Sequence, residues 1–334
     1  MHAYLILGLV ETARALQDVR YTRAAGRIAD LCAQALGSGI DITTLGNHHG
    51  MSATVLMDAA LELHEETGEP RFLALAQRVL EQANAHPALR LLPALEAGAD
   101  ASEIATGKAY QLLWNLVALV KLCRATGDAA LRDTLERIWQ NIREHHLTLG
   151  GGPWGGVAHR SREVFNARGS FSPNAYVETC SLLSWIQFNR ELLRLTGEAR
   201  FAEEIERTAY NDLIGAQAPD GEDWCYYSFP NGRRVHTTYW RCCKSSGAMA
   251  VEELPSLAYA VEGDTVRVLS AVEGAPATLA EVLAAGRLAD LMEKAGETVA
   301  FADVRLLPVI PRPGKILCVG HNYEDHRKET GRAK

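Results

Sequence analysis

The chain has 334 residues, 47% of them hydrophobic, which is enough for one large domain or two ordinary domains with buried cores. Its formal net charge is −7, and its charges are interspersed without a basic stripe, so nucleic-acid and anionic-membrane partners are disfavoured. No segment stays apolar over about 18 residues, so no membrane span is predicted. A small molecule is the expected partner, and the sequence leaves the oligomeric state open.

The cysteines indicate a reducing compartment. They are odd in number, and several lie inside helical patterns, which favours free thiols over a disulfide framework. The apolar run at the start of the chain lacks the basic segment and the small-residue cleavage site of a signal peptide. We therefore predict a cytoplasmic protein with free thiols at Cys32, Cys123, Cys180, Cys225, Cys242, Cys243 and Cys318.

A pattern around a Thr-Gly pair repeats along the chain. At Gly68, Gly127 and Gly197 an acidic residue follows the glycine directly, and an arginine follows it by ten residues. A glycine in the left-handed conformation ends a helix, and the short turn after it starts a second amphipathic helix. A weaker copy, with Gln17-Asp18 in place of Gly-acid, precedes these three. The pattern predicts helix hairpins that stack as a solenoid or a closed α/α toroid, unless helix-capping chemistry alone produced the repeat.

Three unusual segments lie between the hairpins: GNHHGMS (46–52), ASEIATGKAY (101–110) and a long glycine-rich stretch (150–180). Loops held by a rigid helical scaffold often carry function, so binding and catalytic residues are expected there. After Gly247 the pattern changes: GDTVRVLS (263–270) predicts a strand, residues 277–296 predict one unpaired helix, and a proline-rich tail contains a short predicted strand, KILCVG (315–320). The boundary is placed near residue 270. We assign a helical domain to residues 1–268 and a small α+β fragment to residues 269–334.

Cys242 and Cys243 are adjacent and cannot easily form a disulfide with each other, because that ring would be strained. Together with Glu178 and Cys180 they make a complete set of four zinc ligands. Glu178 and Cys180 are two residues apart and converge only if they lie in an extended or turn segment rather than on one helix. The alternative is three buried free cysteines that act as small core residues.

The segments NAYVETCSLLSW (174–185) and WRCCKSS (240–246) resemble the catalytic region of glycoside hydrolase family 127, the β-L-arabinofuranosidase group. The resemblance runs from about residue 4 to residue 268. It implies a mainly α fold, an (α/α)6 barrel built of helix hairpins. Four hairpins are visible here, so the barrel is expected to be incomplete, with helices missing before Met1.

The same resemblance implies the site. Zn²⁺ would be held by Glu178, Cys180, Cys242 and Cys243, with Cys242 also acting as the nucleophile. The family's acid/base glutamate lies about sixteen residues before the E-x-C glutamate; Glu163 lies fifteen before it, one residue short. Retaining hydrolysis needs such a nucleophile and proton donor on opposite sides of the anomeric carbon, and zinc would keep the thiol deprotonated.

The substrate residues depart from the family pattern. Two histidine positions that hold the sugar appear here as Val55 and Lys108. His48 and His49 could replace their hydrogen bonds from an adjacent loop, and Lys108 and Tyr110 could face the pocket. The alternative is that each loop histidine is merely exposed to solvent and binds no sugar.

The tail has a separate resemblance, to the N-terminal part of the fumarylacetoacetate hydrolase family. Its G-x-N-Y-x-x-H-x-x-E motif matches Gly320, Asn322, Tyr323, His326 and Glu329. The acidic magnesium-binding cluster of that family comes later, and this sequence stops first. The tail is therefore expected to take no part in the chemistry.

Three functions follow from the sequence. The preferred one is a zinc-dependent retaining glycoside hydrolase with a cysteine nucleophile, acting on β-L-arabinofuranoside-like sugars. The second is a non-catalytic helical scaffold that the same zinc ligands stabilise. The third is a fumarylacetoacetate-hydrolase-like enzyme, which the missing acidic cluster disfavours. The first requires a carbohydrate partner.

Overall fold

The computed structural model describes residues 2–156, 163–172, 174–238 and 242–254, together with the backbone of 265–267 and 298–300. The chain divides into two compact units, Met1–Val261 and Glu262–Lys334. The domain boundary at residues 268–269 remains a prediction.

Helices dominate the first unit, which confirms the predicted mainly α fold. They form because amphipathic stretches alternate with short capped turns. The α-helices of the described residues are α1 (His2–Leu16), α2 (Val19–Gly37), α3 (Met51–Thr54), α4 (Leu56–Thr67), α5 (Pro70–Ala85), α6 (Leu91–Glu96), α7 (Ala109–Thr126), α8 (Ala129–His145), α9 (Thr179–Thr196), α10 (Ala199–Thr208), α11 (Ile214–Ala216) and α12 (Cys242–Glu253). Short 3₁₀ turns occupy Ile42–Leu45 and Ala101–Glu103, and a π-helical segment, Ala209–Leu213, joins α10 to α11.

The helices form an arc of antiparallel pairs. Neighbours α1, α4, α7, α9 and α12 pack against one another in that order and make an inner row. The helices α2, α5, α8 and α10 each pack on the inner helix that precedes them in the chain. This order is that of stacked helix hairpins, whereas closure into an (α/α)6 barrel remains a prediction.

The Thr-Gly pairs end three of the inner helices as predicted. Gly68, Gly127 and Gly197 have φ angles of 71°, 69° and 71°, and each donates its N–H to the carbonyl four residues earlier. Gln17, in the weaker copy, also adopts a left-handed φ of 50°. The left-handed residue stops the helix and turns the chain back, so each hairpin brings its second helix onto the first.

The centre of the arc is apolar and densely packed. Trp139 on α8 stacks on Trp185 of α9 at 6.4 Å and meets Phe201 of α10 edge-on at 4.9 Å. Both indoles and the phenyl ring are almost completely buried, so one aromatic cluster joins neighbouring hairpins. Among the described helices, none combines the length and the apolar character that a membrane crossing requires.

The strands of the described residues are short. They are β1 (Trp154–Gly155), β2 (Tyr176–Glu178), β3 (Trp224–Cys225), β4 (Tyr227–Ser228) and β5 (His236–Thr237) in the first unit, and β6 (Thr265–Arg267) and β7 (Thr298–Ala300) in the second. In the first unit β2 lies between β1 and β4, antiparallel to both, and β3 pairs with β5. The register places Glu178 opposite Tyr227, which matters for the site.

In the second unit, β6 and β7 form an antiparallel pair with Val266 opposite Val299. Strand β6 lies in the stretch GDTVRVLS that was predicted as a strand, whereas β7 was not predicted. The predicted helix (277–296), the predicted strand KILCVG (315–320) and the motif residues Gly320, Asn322, Tyr323, His326 and Glu329 lie outside the described residues. The tail's resemblance therefore stays a prediction.

Candidate functional site

The N-termini of three inner helices, α7, α9 and α12, carry the predicted site residues. Lys108 directly precedes α7, Glu178 ends β2 and directly precedes α9, and Cys242 is the first residue of α12. Cys180 lies in the first turn of α9, so the strand-to-helix junction lets Glu178 and Cys180 converge. The expectation of an extended or turn segment thus holds for Glu178, whereas Cys180 is helical.

The four predicted zinc ligands come together. One carboxylate oxygen of Glu178 and the sulfurs of Cys180, Cys242 and Cys243 all lie within 4.8 Å of one another. The sulfurs of Cys180 and Cys243 are 3.2 Å apart, and the Ser246 hydroxyl donates to Cys180 Sγ at 3.2 Å. Of the three thiols, only Cys242 is exposed, which leaves it accessible to a small molecule.

The surroundings of Cys242 favour its thiolate. Hydrogen bonds with the thiols of Cys180 and Cys243 outweigh partial burial and lower the pKa of Cys242 well below its ordinary value. The N-terminus of α12 adds the positive end of a helix dipole, which also stabilises a thiolate. Cys242 is therefore both the most accessible and the most readily ionised of the three thiols.

The donor set fits zinc. Three sulfurs and one carboxylate are ligands that zinc accepts in a tetrahedral shell, whose members lie about 3.5 to 4 Å from one another. The limit of 4.8 Å in this structure is close to that spacing, so small side-chain shifts would complete the shell. The structure thus supports a metal site here, and the choice of zinc is a proposal.

Lys108 connects the ligand cluster to Glu163. Its ammonium donates to Glu163 Oε2 at 2.6 Å and to Glu178 Oε2 at 2.9 Å. Lys108 and Glu178 are only 4% and 3% exposed, so both charges are removed from water. Burial raises the pKa of Glu178 to about 7, although the charge of Lys108 acts in the opposite direction.

Glu163 stands in a restrained position beside the cluster. Its φ of 71° is left-handed, which is uncommon for a residue with a side chain and often marks a functional site. Tyr227 donates its hydroxyl proton to Glu163 Oε1 at 2.5 Å, and the backbone N–H of Glu163 donates to the hydroxyl of Tyr176. The carboxylate is thus directed towards the cluster.

The surroundings of Glu163 favour its carboxylate form. Burial alone would raise its pKa, but hydrogen bonds from Lys108 and Tyr227 and the charge of Lys108 outweigh burial and lower it. An ionised carboxylate at this place can accept a proton, and it must first gain one before it can act as an acid.

One hydroxyl joins Glu163 to Cys242. The sulfur of Cys242 and the hydroxyl of Tyr226 are hydrogen-bonded at 3.3 Å, and Tyr226 also hydrogen-bonds the carboxylate of Glu163. Two atoms bonded to one hydroxyl lie about 4.5 to 6 Å apart. Retaining glycosidases hold their two catalytic groups at about 5 Å, so this spacing suits that reaction.

The predicted substrate residues differ in how far their side chains are exposed to solvent. His48, at a φ of 59°, places Nδ1 2.9 Å from the Thr106 hydroxyl, and nearby Lys108 and Glu163 influence its pKa, which burial lowers. His49 is exposed, and its ring lies 5.7 Å from that of His86. His48 therefore lies nearer the carboxylates.

Tyr110 is buried, and its hydroxyl is 3.3 Å from the hydroxyl of Tyr4 on α1. Burial raises the pKa of Tyr110, and the fields of Cys180 and Glu178 act in the same direction. Lys108, the remaining predicted sugar ligand, is held between two carboxylates. A direct contact between its ammonium and a sugar would have to compete with both.

The sequence analysis missed the three tyrosines that surround Glu163: Tyr176, Tyr226 and Tyr227. Pairing between β2 and β4 brings them there, since Glu178 lies opposite Tyr227. A sequence signal does exist, because Tyr226-Tyr227 follows a glycine turn and Tyr176 lies two residues before Glu178. That signal does not reveal the pairing of such short strands.

Comparisons with known proteins identify the family of this chain. The profile of the β-L-arabinofuranosidase GH127 catalytic domain matches residues 1–256. The non-reducing end β-L-arabinofuranosidase of Bifidobacterium longum is 24% identical over 249 residues, covering 67% of this chain and 37% of that protein. The chain therefore spans little more than a third of that relative's length.

Solved structures share the fold. A GH127 β-arabinofuranosidase superposes with a TM-score of 0.61 at 22% identity, over 77% of this chain and 40% of that one. The unsaturated glucuronyl hydrolase of Bacillus sp. GL1 gives 0.53 at 14% identity, over 87% of this chain and 71% of that one. At these identities the likeness concerns the fold alone. The profile match covers most of the chain, and this chain therefore belongs to the β-L-arabinofuranosidase GH127 catalytic-domain family.

Proposed function

We propose that the chain is a zinc-dependent retaining glycoside hydrolase that acts on β-L-arabinofuranoside-like sugars. The observation that carries the proposal is the convergence of Glu178 with three thiols in a chain of this family. Glu178, Cys180, Cys242 and Cys243 would hold the metal. When bound, zinc would supply the positive charge that keeps these thiols deprotonated near neutral pH.

Cys242 is the proposed nucleophile. Its exposed sulfur attacks the anomeric carbon while the bond from that carbon to the leaving oxygen breaks. Glu163, in its protonated form, gives a proton to the leaving oxygen, and the product is a sugar bound through sulfur to Cys242. Tyr226 contacts both groups and would hold their spacing during this step.

Glu163 then acts as the base. Its carboxylate takes a proton from water, the water oxygen attacks the anomeric carbon, and the carbon–sulfur bond breaks to return the thiolate of Cys242. Lys108 and Tyr227 orient the two oxygens of Glu163 in both steps. Glu163 ends the cycle protonated and is ready to act as the acid again.

An aryl β-L-arabinofuranoside provides the test. The zinc content of the purified full chain is measured together with release of the aryl group, for the wild type and for Cys242→Ser. The proposal predicts bound zinc and turnover that the substitution abolishes.

The second candidate is the non-catalytic scaffold. It is favoured by the commitment of Lys108 to two carboxylates. Bound zinc without turnover of any aryl glycoside would favour the scaffold over the enzyme.

A further inference from the structure

Lys108 is a charged side chain that the proposed reaction needs only for orienting Glu163, yet it is buried. Its ammonium bonds both Glu163 and Glu178, residues that lie 55 and 70 positions away along the chain. Removing such a charge from water is costly unless its partners compensate for it, so the double pairing requires an explanation.

The two oxygens of Glu178 have different surroundings. Oε2 accepts hydrogen bonds from Lys108 at 2.9 Å and from the Ser181 hydroxyl at 3.3 Å. Both of the hydrogen bonds that Glu178 accepts within the described part of the chain therefore go to Oε2. One oxygen is therefore occupied by the protein, and the other is left to meet a metal.

The backbone fixes Lys108 in this place. Lys108 and Val164 form an antiparallel bridge, in which Ala109 N–H donates to the Glu163 carbonyl at 3.2 Å and Phe165 N–H to the Gly107 carbonyl at 2.8 Å. The chain turns into this bridge at Gly107, whose φ is 70°. Because Lys108 directly precedes α7, its position depends on the helix as well as on the loop that carries Glu163.

We infer that Lys108 is a positioning residue for the metal centre: it holds Oε2 of Glu178, leaves Oε1 for the metal, and ties Glu163 to the same ammonium. The inference rests on the proposed function and adds to it a residue that acts on a metal ligand rather than on the metal itself. Carboxylates that bind metals are usually hydrogen-bonded in this way, and loss of an outer-shell partner typically weakens metal binding by about 10- to 100-fold.

The test measures the zinc dissociation constant of the full chain by competition with a chromophoric chelator. Lys108→Met should weaken zinc binding by about 10- to 100-fold, and Lys108→Arg should retain more affinity, because it keeps a donor and a charge. Co²⁺ provides a second readout. With Lys108→Met, Glu178 is free to bind through both oxygens, and the intense absorption of four-coordinate Co²⁺ should fall.

Lys121 offers a matched control on the same helix. It is also a buried lysine that pairs with two carboxylates, Asp58 and Glu62, but it lies thirteen residues further along α7, about 20 Å from the site. Lys121→Met should lower the melting temperature and change zinc affinity by less than about threefold. Lys244→Met, which removes a pair with Asp223, is a milder control.

The double variant Lys108→Met with Glu163→Gln separates positioning from simple charge neutralisation. The double variant leaves only one buried carboxylate, Glu178, without the lysine. It can therefore replace Lys108→Met in the test if circular dichroism shows that Lys108→Met alone does not fold. Zinc binding as weak as that of Lys108→Met supports the inference. Recovery of wild-type affinity in the double variant overturns it, because the lysine would then only neutralise Glu163.

Two further outcomes separate the inference from the proposed function. If the wild type binds zinc and Lys108→Met binds it equally or more tightly, repulsion between the lysine and the metal dominates, and only the inference fails. If the wild type binds no zinc, both the proposed function and the inference are wrong.

Discussion

The sulfur of Cys242 and the hydroxyl of Tyr226 are joined by a hydrogen bond of 3.3 Å. This contact joins the first residue of α12 to the residue between β3 and β4. Tyr226 also hydrogen-bonds Glu163. The proposed nucleophile and the proposed acid/base therefore share one hydroxyl. A tyrosine at this place can hold the spacing of the two groups while a sugar enters between them.

Replacing this tyrosine tests the link. Tyr226→Phe removes a hydrogen bond to a charged or readily ionised group, which is worth about 1.5 kcal/mol, so kcat should fall roughly tenfold. Zinc affinity should stay at the wild-type value, because Tyr226 is not one of the four grouped ligands. Tyr210→Phe, at an exposed tyrosine, is the control and should leave both quantities unchanged. Equal kcat in the two variants would remove Tyr226 from the mechanism.

Cys180 and Cys225 provide a matched pair for the metal site. Both are buried free thiols, but only Cys180 belongs to the cluster. Cys180→Ser should lower zinc affinity by more than the roughly 10- to 100-fold loss typical of an outer-shell residue, because it removes a thiolate ligand. Cys225→Ser should bind zinc as the wild type does. Metal analysis and chelator competition measure the zinc affinity of both variants. An equal loss of affinity in both would indicate general destabilisation.

Stability at low pH depends on a carboxylate far from the site. Glu62 pairs with Lys121 and, at 2.6 Å, with Arg14. Although burial raises the pKa of Glu62, these charges lower it from 4.5 to about 2. A lowered folded-state pKa stabilises the protein above the unfolded value, so this contribution, roughly 3 kcal/mol, should be lost as the pH falls from about 4.5 to about 2.

Chemical denaturation across this pH range is the measurement for that prediction. Glu62→Gln should reduce the slope of unfolding free energy against pH, since the glutamine cannot titrate. Glu11→Gln, at an exposed residue that also pairs with Arg14, is the control and should keep the slope. The assignment would be wrong if Glu62→Gln retained the wild-type slope.

The tail is expected to be separable from the site. All four candidate ligands and Glu163 lie before residue 254, and the family profile ends at residue 256. Deletion of residues 269–334 should therefore leave zinc affinity and turnover unchanged, with the full chain as the reference. Loss of either in a deletion variant that folds by circular dichroism would show that the tail contributes to the site.

Much of the helical scaffold could be predicted from local chemistry. A glycine after a helical stretch needs no tertiary information to adopt a left-handed conformation, and Gly68, Gly127 and Gly197 all do so. The cysteine-rich ligand set could be proposed from its residue types and its motif. Each of these features depends on short sequence motifs, which can be recognised without knowing the tertiary contacts.

The remaining features depend on contacts between distant parts of the chain. Lys108 was predicted as a sugar ligand because the family resemblance places it at a sugar-binding position, and its sequence neighbours give no sign of its pairing with Glu163 and Glu178. Tyr227 reaches Glu163 only because β4 pairs with β2 in one particular register. Strands of two or three residues carry too little alternation for such pairing to be read from the sequence.

The most direct test of the central claim is the mass of the protein during turnover. The zinc-loaded full chain is mixed with an activated aryl β-L-arabinofuranoside whose second step is slow, quenched, and analysed by mass spectrometry of the intact chain and its peptides. The account predicts a gain of one pentosyl group on the peptide that contains Cys242, absent in Cys242→Ser. Turnover by the wild type with no adduct on that peptide, or turnover retained in Cys242→Ser, would contradict the claim that Cys242 is the nucleophile.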